Sequence, residues 1–164
     1  MENSILDSTW RQFGASIDSL EDAILLCPAD QWDTDRKIWY NAFHCLFFLD
    51  YYLTMDPKTF SPPPPFTLSE FEDKMPDRVY SKEELLNYLK YNRDKCKKLL
   101  SALTEASLSG RWRNISGSMD YTIMEILLYN MRHVQHHAAQ LNLHLRQTIN
   151  DAPEWVFQAR VGLS

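Results

Sequence analysis

Apolar residues return at three- and four-residue steps along four stretches of this chain, and that spacing predicts four long helices. The first covers residues 3–26, where Leu6, Trp10, Phe13, Ile17, Leu20 and Ile24 line one stripe before Pro28 stops it. The second covers residues 36–54 behind an Asp33-Thr34-Asp35 capping cluster. Its apolar face is wide, with Trp39, Tyr40, Phe43, Phe47, Phe48 and Tyr51. The third covers residues 81–106, opened by a Ser81/Glu84 capping box and carrying Leu85, Leu89, Cys96, Leu99 and Leu103 inward. The fourth covers residues 121–149, with Asp120 as its cap and Leu127, Met131, Val134, Ala138, Leu141 and Leu145 as its stripe.

The connections bear on topology. Residues 56–80 include Ser61-Pro62-Pro63-Pro64-Pro65 and are too long for a tight hairpin. Prolines favour an extended, stiff polyproline II path of about 3 Å per residue, enough to run the length of a bundle. The second and third helices can then lie parallel, with the linker as a crossover. A short helical turn is expected near Leu68 to Lys74, and a small hairpin between Gly110 and Gly117. The tail from Pro153 to Ser164 carries Trp155, Val156 and Phe157 and reads as a lid or brace. The fold class is all-α, a four-helix bundle forming one domain over residues 1–164.

Composition narrows the function classes. Hydrophobic residues make up 45% and charged residues 24%, as in a globular protein, and the net charge is −5. No basic block is present, so nucleic acid is not an expected partner. No apolar run reaches the roughly 18 residues that cross a membrane. The polar start Met1-Glu2-Asn3-Ser4 lacks the pattern of a signal peptide, so the expected location is the cytoplasm. Cys27, Cys45 and Cys96 form no CxxC pair and read as reduced, packed thiols. Five Trp and eight Tyr are many for this length, which leaves room for a homodimer.

Three histidines carry the chemistry. His133 and His137 are four residues apart, which sets two imidazoles about 6 Å apart on one side of a helix. At 100° per residue they fall on the shoulder of the apolar stripe, whereas His136 faces water and His144 lies about 10 Å further along the axis. His44 sits in the aromatic face of the second helix, where a buried imidazole must find a partner. That partner is either the surrounding core or, if the two helices are neighbours, a metal ion shared with His133 and His137. Three neutral imidazoles suit a divalent ion such as zinc, nickel, iron or cobalt, and leave an open position for water or substrate. Asp50 is badly placed as a fourth ligand. Tyr40 and Asn130 are better placed to orient ligands or substrate from a second layer.

Trp39-Tyr40-Asn41-Ala42-Phe43-His44, together with His133-Val134-Gln135-His136-His137-Ala138-Ala139-Gln140-Leu141, resembles the DinB-like superfamily. The resemblance implies an up-down-down-up bundle holding one divalent metal ion, nickel or zinc in many members, on His44, His133 and His137. The family's Gln corresponds to Gln140, a fold feature. Ala138-Ala139 stands where many relatives have Arg-Gly, which puts any role of that arginine in doubt. Related branches include thiol-dependent isomerases and transferases. The expected function is therefore a metal-dependent enzyme acting on a small molecule, with a low-molecular-weight thiol as one candidate, by transfer, isomerisation or hydrolysis. The alternative is a non-catalytic bundle with a structural or vestigial metal site that works through protein partners.

Overall fold

The computed structural model describes residues 4–163. The polar start Met1–Asn3, including the first residue of the predicted first helix, lies outside them, as does Ser164. Among the described residues the chain is mostly helical: α1 Ile5–Leu26, α2 Ala29–Trp32, α3 Ile38–Tyr52, α4 Lys82–Ala102 and α5 Ile123–Ile149. A two-stranded antiparallel ladder, β1 Arg111–Arg113 and β2 Asp120–Thr122, pairs Trp112 with Tyr121. It extends further along the chain than the small hairpin expected between Gly110 and Gly117. The single-turn α2 was not anticipated.

Local chemistry explains most boundaries. Ser81 and Glu84 form the expected reciprocal capping box at the start of α4. At α5 the cap moves to Thr122, whose hydroxyl accepts from Glu125 N while the Glu125 carboxylate accepts from Thr122 N. Asp120 is instead drawn into the ladder, where Arg111 and Arg113 hold its carboxylate. The capping cluster expected before α3 does not cap it. Lys37, in the left-handed region at φ 48°, occupies the cap, and Asp33 accepts from Trp39 Nε1 at 2.8 Å. The third predicted helix ends early because Thr104 and Ser107 cap a separate 3-10 turn, Glu105–Ser109.

The four long helices pack around a main core, α5 against α1 and α3, and α4 against the same two, with a smaller cluster of Tyr51, Tyr52, Trp112 and Ile126 beside it. The Asn130 amide donates to Leu49 O, and Tyr52 packs on Tyr129, whereas Asn41 meets Gln140, so α3 and α5 run in opposite senses. Asn92 donates to Leu46 O and Lys95 to Asp50, so α3 and α4 run in the same sense. Lys82 reaches Cys27 O while Arg93 pairs with Asp18 and Glu21, which opposes α4 to α1.

Helix α3 is apolar almost all round, and the crossover is the reason it can be. Phe66 packs on Phe43, Phe60 and Phe71 pack on Phe47, and Tyr80 packs on Trp39 and Phe43. The expected helical turn forms as a 3-10 turn at Ser69–Glu72. Cys27, Cys45 and Cys96 are buried and unpaired.

The C-terminal tail braces α1. Ala159 N donates to Arg11 O at 2.8 Å, Trp10 Nε1 to Val161 O at 2.7 Å, and Arg160 pairs with Asp22. The seat for this strap is Gly14, where an added Cβ would stand 2.5 Å from the Ala159 Cβ. Gly14→Ala should gain up to about 1 kcal/mol of helix propensity in α1. It cannot keep the strap in place, however. The expected result is an undocked tail, read as faster C-terminal cleavage in limited proteolysis with unchanged helical circular dichroism.

Candidate metal centre

The antiparallel crossing of α3 and α5 brings His44, His133 and His137 to one place. Each offers a ring nitrogen within 4.8 Å of those of the other two. Ring centroids are 4.5 Å apart for His133 and His137, 4.9 Å for His44 and His137, and 5.8 Å for His44 and His133. His136 is exposed, as helical phase implies, and His144 is buried further along α5.

Two of the three imidazoles are anchored from behind. His44 Nδ1 lies 2.6 Å from Glu70 Oε2, and His137 Nδ1 lies 2.8 Å from Asn41 Oδ1. An amide oxygen only accepts, so His137 carries its proton on Nδ1 and turns the Nε2 lone pair outward. Asn41 is held in turn, because its amide donates to Gln140 Oε1 at 3.3 Å. Gln140 thus reaches a histidine through Asn41. The third ring has no such anchor. His133 Nδ1 is buried with no hydrogen-bond partner among the described residues, and the ring stands among Phe48, Tyr52 and His137.

Of the two residues expected in the outer layer, Tyr40 lies beside the site and Asn130 is engaged elsewhere. Asn130 is fully buried, but its amide donates to Leu49 O and so serves the α3 backbone, not an imidazole. Tyr40 lies beside both His44 and Glu70. Burial first and the Glu70 carboxylate second push its phenol up to about 12, so it stays protonated. Among the described residues, those that hydrogen-bond the rings are Asn41 and Glu70. Asn41 was legible in principle, standing one turn before His44 on the same helical face. Glu70 comes from the crossover, where no periodicity points at a partner. Asp50 faces away, into a buried network with Lys95 and Tyr88.

Electrostatics favour lone pairs over protons. Burial, then the neighbouring His137, His44 and His136, hold His133 down at about 3. Burial, then His44 and His136, hold His137 at about 4, with the acceptor oxygen of nearby Gln140 pulling weakly the other way. Both rings are therefore neutral donors at neutral pH. Together with the orphaned nitrogen of His133, the donor set fits a divalent ion of borderline softness. A cleft of about 280 Å³ is lined by Tyr129, Arg132, His133 and His136, and so meets the cluster at His133 alone. A larger cavity, about 650 Å³, lies between α1 and α5 beneath Trp155, and none of the three clustered histidines lines it.

Compared with known families, residues 5–141 match the model of the DinB superfamily. The chain belongs to the DinB superfamily. No curated protein and no solved structure matches it. The match takes in α1, the crossover and every clustered histidine of this DinB-superfamily chain, and stops before the bracing tail. No helix among the described residues is long and apolar enough to cross a membrane.

The depressed pKa values carry a prediction for the metal-free protein. His133 and His137 sit at about 3 and about 4 when folded, against an ordinary 6.5. Below that ordinary value the unfolded chain binds protons that the folded chain refuses. Stability should be full above it and fall as pH drops toward the folded values, by at most about 1.4 kcal/mol per pH unit for each ring. Urea unfolding at a series of pH values should show this slope in the wild type, and a shallower one after His133→Leu.

Proposed function

We propose that this DinB-superfamily chain is a divalent-metal-dependent enzyme acting on a small molecule in the cytoplasm, with zinc, nickel or iron held by His44, His133 and His137. The observation that carries the reading is the convergence of three imidazole nitrogens within 4.8 Å, two rings anchored from behind and the third with a buried, unpartnered nitrogen. The helix directions read from side-chain pairs across α3, α4, α5 and α1 support an up-down-down-up bundle as the scaffold. When bound, the ion would supply Lewis acidity, lowering the pKa of a water or thiol at its open position.

The chain's own residues do the rest. Asn41 keeps the proton of His137 on Nδ1, and Glu70 engages Nδ1 of His44, so both rings present Nε2 toward the cluster. Phe48 and Tyr52 wall His133 with aromatic surface and keep bulk water off that side. Arg132 and His136 flank the open cleft as polar groups that an incoming substrate meets. Cys45 is fully buried and its thiol is raised by burial, so it is no nucleophile. The substrate class we propose, from the thiol-dependent branches that the chain resembles, is a low-molecular-weight thiol together with an electrophile small enough for the cleft.

The test is cobalt loading followed by thiol titration. A sulfur-to-cobalt charge-transfer band that saturates with added thiol, and is missing after His133→Leu, supports the reading. Metal uptake without any such band would turn the assignment to hydrolysis. A chain that takes up no divalent ion would sink it and favour the non-catalytic bundle.

A further inference from the structure

Glu70 is the most unusual charged residue near the centre. Its side chain is only 4% exposed, yet it comes from the long connection between α3 and α4 and not from a bundle helix. Its Oε2 lies 2.6 Å from His44 Nδ1, and its Oε1 is buried without a hydrogen-bond partner. A carboxylate is rarely so buried without a pairing that repays desolvation. The turn that carries it is held firmly. Phe71 N donates to Leu68 O at 2.9 Å and Lys74 N to Ser69 O at 3.1 Å, while the Phe71 ring packs 5.0 Å from Phe47 and 4.9 Å from Tyr51.

We propose that Glu70 is the positioning residue of the metal centre: it fixes His44 with the proton on Nδ1 and Nε2 toward the ion, and lends the centre a buried carboxylate. This rests on the metal-centre reading above. Three neutral imidazoles bring no charge to offset a dication, so an anion one imidazole away strengthens the site without occupying a coordination position. Glu70 is not among the residues whose donor atoms cluster, which separates it from the ligands. The two anchors differ in kind, since Asn41 offers His137 a neutral oxygen and Glu70 offers His44 a charged one. Carboxylate–imidazole hydrogen bonds are the stronger kind and raise the basicity of the far nitrogen. The crossover thereby acquires a role beyond spanning the bundle, as it delivers this carboxylate to α3.

The experiment compares zinc affinity, by chelator competition, in wild type, Glu70→Gln and Glu70→Ala. Glu70→Gln keeps shape and an acceptor oxygen while losing the charge, and should weaken zinc binding about tenfold; Glu70→Ala should weaken it about 100-fold. Nitrogen-15 NMR of the imidazoles in the zinc-loaded proteins supplies a readout that a merely structural role would not move. In wild type, His44 should carry its proton on Nδ1 and zinc on Nε2, and in Glu70→Ala that proton should exchange rapidly with water. Glu70→Gln binding zinc within about threefold of wild type would overturn the proposal, as would zinc on His44 Nδ1 or on the Glu70 carboxylate. A wild-type chain that binds no zinc, nickel or iron would instead overturn the metal-centre reading itself.

Discussion

His133→Leu should abolish metal binding and leave the metal-free protein at least as stable as the wild type. Wild-type protein purified without a histidine tag and reloaded should hold about one ion per chain, and the variant less than about a tenth of that. The stability half of the expectation follows from the orphaned ring. His133 Nδ1 is buried without a partner, and the ring is held far below its ordinary pKa chiefly by burial. Replacing an unsatisfied polar group by an apolar one of similar size removes a desolvation cost of about 1 kcal/mol. Such a gain at the cost of the site is the usual trade at functional positions. His44→Ala should lose the ion too, but with the opposite sign on stability. It strands the Glu70 carboxylate, 4% exposed, with no imidazole beside it, at a cost of roughly 1–3 kcal/mol. Urea unfolding of the two metal-free variants separates these signs. Destabilisation of both alike would show that His133 packs as an ordinary core residue, and retained metal in either would show that the cluster is not the site.

Lys95→Ala should destabilise the fold by about 3 kcal/mol at neutral pH, more than any change at the bundle surface. Asp50 is 1% exposed and lies between α3 and α4. Lys95 Nζ meets its Oδ1 at 2.5 Å and also donates to Asp50 O and Thr54 Oγ1, while the Tyr88 hydroxyl donates to Oδ2 at 2.8 Å. Burial raises the Asp50 carboxyl above its ordinary range even with Lys95 and Tyr88 pulling it down. Removing the ammonium leaves a buried charge facing one hydroxyl. A carboxyl raised in the folded state costs stability above its unfolded pKa and recovers it on protonation. The deficit of Lys95→Ala should therefore shrink as pH falls toward about 4. The paired change Asp50→Asn with Lys95→Met, which keeps an acceptor for Tyr88 and removes both charges, should cost less than Lys95→Ala alone. A pH-independent deficit would mean that the loss is one of packing.

Much of this architecture is legible in one dimension because helices are local. The stripes of α1 and α5 and the capping box of α4 depend on residues three and four apart, so spacing alone locates them. Helical phase on α5 likewise sorts His133 and His137 from the exposed His136. Where local signals compete, the reading slips. Asp33 and Asp120 both look like helix caps, and both are taken by tertiary or cross-strand partners, the Trp39 indole and the arginines of β1.

What the chain determined by itself is thus a set of helices, their buried faces, and three imidazoles that could meet if two helices were neighbours. The tertiary structure decided that α3 and α5 are neighbours of opposite sense, which alone turns spacing along two helices into one cluster of donors. It also decided what stands behind those donors: Asn41, reaching from α3 to His137 on α5, Glu70, brought to His44 from a connection 26 residues away in sequence, and, among the described residues, no partner for His133 Nδ1. Contacts of that range carry no periodic trace, because they are set by how a stiff, proline-rich crossover lies across an aromatic face and not by any repeat along the chain.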